Sequence, residues 1–210
     1  MARLTAEAYI DLTYRIIATE GIEAVTIRYL AEKLECSTAT LYRHFDSLEQ
    51  LIVFASLRFL KPYVEEIAGL GRAKYTLDTY YKVWDIFMRY SCENPQIFNY
   101  VFFNRYKEIH MIHNAVNQYY EANSDDVDAL QESLRPIFTG DDLFLRSSNF
   151  LKYCLGKEED SKKLIETASD SITYMYKGIL QSQLEDADFD VHKARIQFHE
   201  AMKMICKGFI

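Results

Sequence analysis

Residues 26–45 read TIRYLAEKLECSTATLYRHF, and this stretch decides the architecture. Thr26 offers a hydroxyl where a helix N-cap wants one. Ile27, Leu30, Ala31 and Leu34 then follow at i, i+3, i+4 and i+7, the spacing of one buried helix face. Ser37 is placed to cap a third helix, with Leu41 and Phe45 one turn apart on its inner side. Two short helices joined by a tight turn, the second tipped with small polar residues, suit the major groove of DNA. That groove admits one helix, and base edges lie nearest the helix's N-terminal residues. Here those residues are Ser37, Thr38, Ala39 and Thr40, whose short side chains let the backbone come close. Tyr42, Arg43 and His44, further along, are long donors suited to flanking phosphates.

Working outward, Tyr9, Leu12, Ile16 and Ile17 mark a first helix over 6–20, closed by Gly21 where positive φ is wanted. Asp46-Ser47 interrupts the third helix. Ser47 with Gln50 forms a capping box for a fourth, which should run to about Ile67. Pro62 lies inside that span and should kink or end it, because it lacks an N–H and clashes with the preceding turn. Gly69–Lys74 reads as a loop. Further helices are expected near 76–92, 95–107, 111–122, 125–138, 141–155, 160–184 and 189–207. Asn94-Pro95 marks a boundary with Pro at the first helical position.

The run Tyr9–Leu51 resembles the DNA-binding domain of the TetR family of transcriptional regulators. The resemblance is carried by the Gly21 turn, Thr26-Ile27-Arg28, Leu30-Ala31, Ser37 through Phe45, and Ser47-Leu48-Glu49-Gln50-Leu51. It covers about a quarter of the chain. It departs from the family at Glu35, where Gly is usual, and at Leu48, where a basic residue is common. The resemblance implies an all-α chain. A three-helix helix-turn-helix domain (1–46) would be joined by a connecting helix (47–67) to a ligand-binding and dimerisation domain (68–210). Thr26, Arg28, Ser37, Thr38, Ala39, Thr40, Tyr42, Arg43 and His44 would then contact double-stranded DNA at a palindromic operator. The helices near 160–184 and 189–207 would pair in a homodimer, and a small-molecule effector would control a repressor. The alternative is a ligand-binding or protein-interaction module whose helix-turn-helix no longer reads DNA.

Composition constrains this reading. Only 7 Gly and 3 Pro among 210 residues suit long helices with short turns. The net charge is −7, and the first sixty residues carry six Lys/Arg against eight Asp/Glu. Bulk electrostatics cannot hold such a chain on DNA, so a few well-placed donors must do so, with two copies acting together. Cys36, Cys92, Cys154 and Cys206 form no CxxC pair and read as reduced thiols of a cytoplasmic protein. Neither a signal peptide nor a membrane span is expected.

No nucleophile motif or phosphate-cradling glycine loop occurs, so an enzyme is not expected. His110 and His113, with Glu108 nearby, read as a solvated pair, and neither metal nor cofactor is expected. Aromatic residues crowd Tyr80–Tyr106. Trp84, Phe87, Phe102, Phe103 and Tyr106 are the candidate ligand contacts, in an amphipathic pocket between helices.

Overall fold

The computed structural model describes residues 5–70, 75–103, 142–156 and 161–209. Every regular element among them is helical, as expected for an all-α chain. The described residues fall into two compact units that divide between Lys61 and Pro62. The helices anticipated at 111–122 and 125–138, the end of that anticipated at 95–107, Tyr106, Glu108, His110 and His113 lie outside the described residues.

In the first unit, α1 spans Ala6–Glu20 and buries Tyr9, Thr13, Ile16 and Ile17. Thr5 caps its start, and Gly21, at φ 89°, closes it by donating to the Ile17 carbonyl. A single 3-10 turn, Ile22–Ala24, leads to α2, Ile27–Lys33. Thr26 Oγ1 accepts from the Tyr29 N–H at 3.2 Å, so the expected cap forms. Leu30 is fully buried and Ala31 nearly so, which directs α2 inward along the expected stripe.

The third helix departs from expectation. Thr38–Arg43 winds as a 3-10 helix, and Ser37 stands at its N-cap position without capping a backbone N–H. The Ser37 hydroxyl bonds that of Thr40 instead, at 3.0 Å. Leu41 and Phe45 still anchor the segment, at 1% and 5% exposure.

Helix α3 spans Leu48–Ala68. Ser47 Oγ accepts from the Gln50 N–H at 3.1 Å, but Gln50 Oε1 accepts from the N–H of Asp46, one residue before the position a capping box uses. The helix continues through Pro62, where a kink or an end was expected. Pro62 is exposed, so its ring faces water and packing by Tyr63, Val64 and Ile67 on the buried side carries the helix past it. Arg58 of α3 pairs with Glu7 and Asp11 of α1, fastening the ends of the domain together.

The second unit begins with the last turns of α3. It continues with α4 (Leu77–Glu93), α5 (Pro95–Phe103), α6 (Leu143–Leu155), α7 (Lys162–Glu185) and α8 (Val191–Cys206). Thr76 and Thr79 form a reciprocal capping box at the start of α4, and α5 opens on Pro95 as anticipated. Gly156, at φ 57°, ends α6 in the left-handed conformation. Helix α7 is the centre of this unit and packs on α5, α6 and α8, while α4 meets both α6 and α8. None of the four cysteines is paired. No helix among the described residues is long and apolar enough to cross a membrane.

Candidate functional site

The turn between α2 and the 3-10 helix is closed by two backbone bonds. The Glu35 N–H donates to the Glu32 carbonyl at 3.2 Å, and the Cys36 N–H reaches back to Ala31 at 2.9 Å. This pair is a Schellman closure, and it requires a left-handed residue at Glu35. Glu35 has φ 50°, the one positive-φ residue other than Gly among those described. The glutamate therefore occupies a conformation that costs a side-chain-bearing residue about 1–3 kcal/mol.

This turn sets the face that the next segment presents. Thr26, Arg28, Ser37, Thr38, Ala39, Tyr42 and Arg43 are exposed. Tyr42, at 53%, is unusually open for an aromatic. Thr40 is half-buried and engaged with Ser37, so its hydroxyl is oriented before any ligand arrives. His44 is half-buried, its ring 5.9 Å from that of Tyr9, so part of it is a wall of the domain core. The Tyr9 hydroxyl in turn lies 3.2 Å from Cys36 Sγ. Two residues proposed from sequence as DNA contacts, Thr40 and His44, thus also brace the fold. The basic residues are thinly spread. Arg58 is paired with α1, and Lys33 stands 5.2 Å over the Tyr29 ring.

The second unit contains a cavity with an empty volume of ≈ 410 Å³ including its open mouth. It is lined by Tyr63, Tyr80, Val83, Trp84, Phe87, Phe102, Leu143, Arg146, Ser147 and Phe150. Of the ligand contacts anticipated from sequence, Trp84, Phe87 and Phe102 line it. Phe103 does not; its ring packs 5.8 Å from Tyr176. The polar lining was not anticipated. Tyr80 Oη lies 2.8 Å from Ser147 Oγ, which also accepts from Ser169 Oγ at 2.8 Å. Burial pushes the Tyr63 phenol well above its ordinary pKa, and the charge of Arg146 acts in the opposite direction. A signal for Arg146 was present in the sequence. It stands in register with Leu143, Phe150 and Cys154 on the buried stripe of α6, an inward position for a charged residue.

A short exposed segment of small polar residues, held by a Schellman turn over a three-helix core, defines the first unit as a DNA-binding helix-turn-helix domain. Residues 10–53 match the model of a family described as bacterial regulatory proteins, tetR family. The N-terminal domain is therefore a TetR-type helix-turn-helix, and the chain that carries it is a DNA-binding regulator of transcription. No curated protein matches the chain.

Proposed function

We propose that the protein is a cytoplasmic, homodimeric repressor that leaves a palindromic operator when a small molecule enters its second unit. One observation carries the effector part of this reading. Tyr63, on the cavity wall, belongs to α3, the helix that begins at Leu48 directly after the recognition segment. A ligand touching Tyr63 acts on the covalent connection to the DNA-reading element. Thr38, Ala39 and Thr40 read base edges in this proposal, while Thr26, Arg28, Ser37, Tyr42, Arg43 and His44 hold the sugar-phosphate backbone. Dimerisation follows from the short reach of one recognition segment. Two copies about 34–36 Å apart match successive major grooves.

The test is binding of the full chain to the DNA upstream of its own gene and to random DNA, at two salt concentrations. Specific binding persists at the higher salt, where non-specific binding fades. Equal affinity for both DNAs at both salts would instead favour a helix-turn-helix that has lost sequence reading.

A further inference from the structure

Glu35 stands where glycine would sit without strain. Its φ of 50° is required by the Schellman closure after α2. A strained residue that the surrounding fold holds in place is a pointer to function. The turn is pinned on both sides. Cys36 donates its N–H to the Ala31 carbonyl and sets its Sγ 3.2 Å from Tyr9 Oη, and the Ser37 hydroxyl is tied to that of Thr40. The charge of Glu35 is therefore carried on fixed backbone.

The surroundings leave that charge uncompensated. Glu35 is exposed, and its carboxylate makes no ion pair or hydrogen bond among the described residues. Lys33, the cation nearest in sequence, stands over the Tyr29 ring instead. The recognition segment begins just beyond, with Ser37 at its N-cap position. Successive Cα atoms are about 3.8 Å apart, so those of Glu35 and Ser37 lie within about 7.6 Å. That is inside the screening length of about 10 Å at 0.1 M salt. A phosphate gripped at this end of the segment therefore feels the carboxylate. Arg28 and Arg43 are the exposed arginines of α2 and the 3-10 helix, while Arg58 is committed to Glu7 and Asp11. Against so few cations one carboxylate weighs heavily.

We infer that Glu35 is an electrostatic brake on DNA binding. Its carboxylate repels the phosphates nearest the N-terminal end of the recognition segment and lowers affinity for DNA of any sequence. Non-specific binding draws essentially all its strength from phosphate attraction, so on DNA that offers no base contacts nothing offsets the brake. Glycine would close the same turn without charge and without strain, so the brake and the strain come from one side chain. The inference rests on the reading of Ser37–Thr40 as the groove-facing end of the domain.

The experiment measures binding of the full chain to a labelled duplex of arbitrary sequence by fluorescence anisotropy, at low and at moderate salt. Glu35→Gln keeps the length of the side chain and removes its charge. It should tighten binding about two- to fivefold at low salt, the size of a unit-charge repulsion across roughly 8–10 Å of water, and the gain should shrink as salt is raised. Glu35→Gly should tighten binding as much, and Glu35→Lys should tighten it further. Should Glu35→Lys fail to fold, the two uncharged variants still decide. Asp188→Asn changes the net charge as much as Glu35→Gln does but lies between α7 and α8 of the second unit, and it should have a smaller effect. A gain in Glu35→Gly alone would assign the effect to turn geometry and overturn the brake. Equal gains in Glu35→Gln and Asp188→Asn would reduce it to net charge and overturn it too. Arg43→Gln separates the brake from the reading on which it rests. If Arg43→Gln weakens binding while Glu35→Gln leaves it unchanged, the brake fails and the DNA-facing segment stands. If neither variant alters binding, both fail.

Discussion

Glu35 holds φ 50° because the Schellman closure after α2 needs a left-handed residue, and the glutamate side chain contributes nothing to that closure. Glu35→Gly should relieve about 1–3 kcal/mol of backbone strain, offset by about 0.4–1 kcal/mol of extra freedom in the unfolded chain. The expected net gain is therefore of order 1 kcal/mol, read as a higher urea midpoint at unchanged slope. The branched Glu35→Val should move the midpoint the other way. Within the recognition segment, Thr40→Ala and Tyr42→Ala should damage DNA binding differently. Thr40, oriented by Ser37, faces base edges in the proposed complex, and its loss should relax sequence choice at a cost of about 1–3 kcal/mol. Tyr42, exposed and further along, should weaken cognate and random DNA alike. Identical specificity ratios in the two variants, measured by competition, would show that these roles are misassigned. The positions of Thr38, Ala39, Tyr42 and Arg43 were legible in sequence because helix periodicity separates them from Leu41 and Phe45. The second engagement of Thr40 and His44 was not, since it depends on Ser37 and Tyr9 meeting them in space.

At the scale of elements, α3 was legible at its start and misread near its end. Ser47 signals a cap through local chemistry, which sequence spacing preserves. Pro62 signals a break through local chemistry too, but tertiary packing of Tyr63, Val64 and Ile67 overrides it. Because Pro62 is exposed and inside the helix, Pro62→Ala should restore a backbone N–H without disturbing the core. Proline costs about 3 kcal/mol relative to alanine in a helix interior, so a gain of roughly 1–3 kcal/mol in unfolding free energy is expected. If α3 transmits effector binding by bending at this weak point, the same variant should also need more effector to release DNA. Spin labels on the recognition segments of a dimer check this. Effector should change their separation in the parent protein and change it less in Pro62→Ala. Release of DNA at fixed separation would remove α3 as the lever. A simpler check applies to α4, where Thr76→Ala should cost about 1 kcal/mol in thermal unfolding by removing the N-cap acceptor.

For the whole molecule, the proposed dimer carries a prediction about where DNA affinity comes from. With Arg58 committed to Glu7 and Asp11, the first unit offers few cations to phosphates, and its net balance is negative. The salt dependence of operator binding should accordingly be shallow, and in the proposed dimer paired recognition supplies what electrostatics does not. The outer faces of α7 and α8 are suited to that pairing. Leu164 and Tyr174 on α7 are 57% and 63% exposed, and Ile196 and Met204 on α8 are 53% and 70% exposed. Along α7, Leu164, Thr167, Ser171, Tyr174 and Gly178 recur at three- and four-residue steps and are all exposed, so they form one stripe. Its small members would let a neighbouring helix approach closely. Such large apolar side chains lose free energy in water that burial against a second copy would recover, about 25 cal/mol per Å². The double variant Leu164→Glu with Met204→Glu should keep its fold, because both side chains already face solvent. It should sediment as a monomer at concentrations where the parent is a dimer. Its operator affinity should fall to the level of a single half-site, while the affinity of each recognition segment stays intact. A double variant that remains dimeric by sedimentation equilibrium would place the interface on another surface. One that becomes monomeric yet binds the full operator as tightly as the parent would show that paired recognition is not the source of affinity.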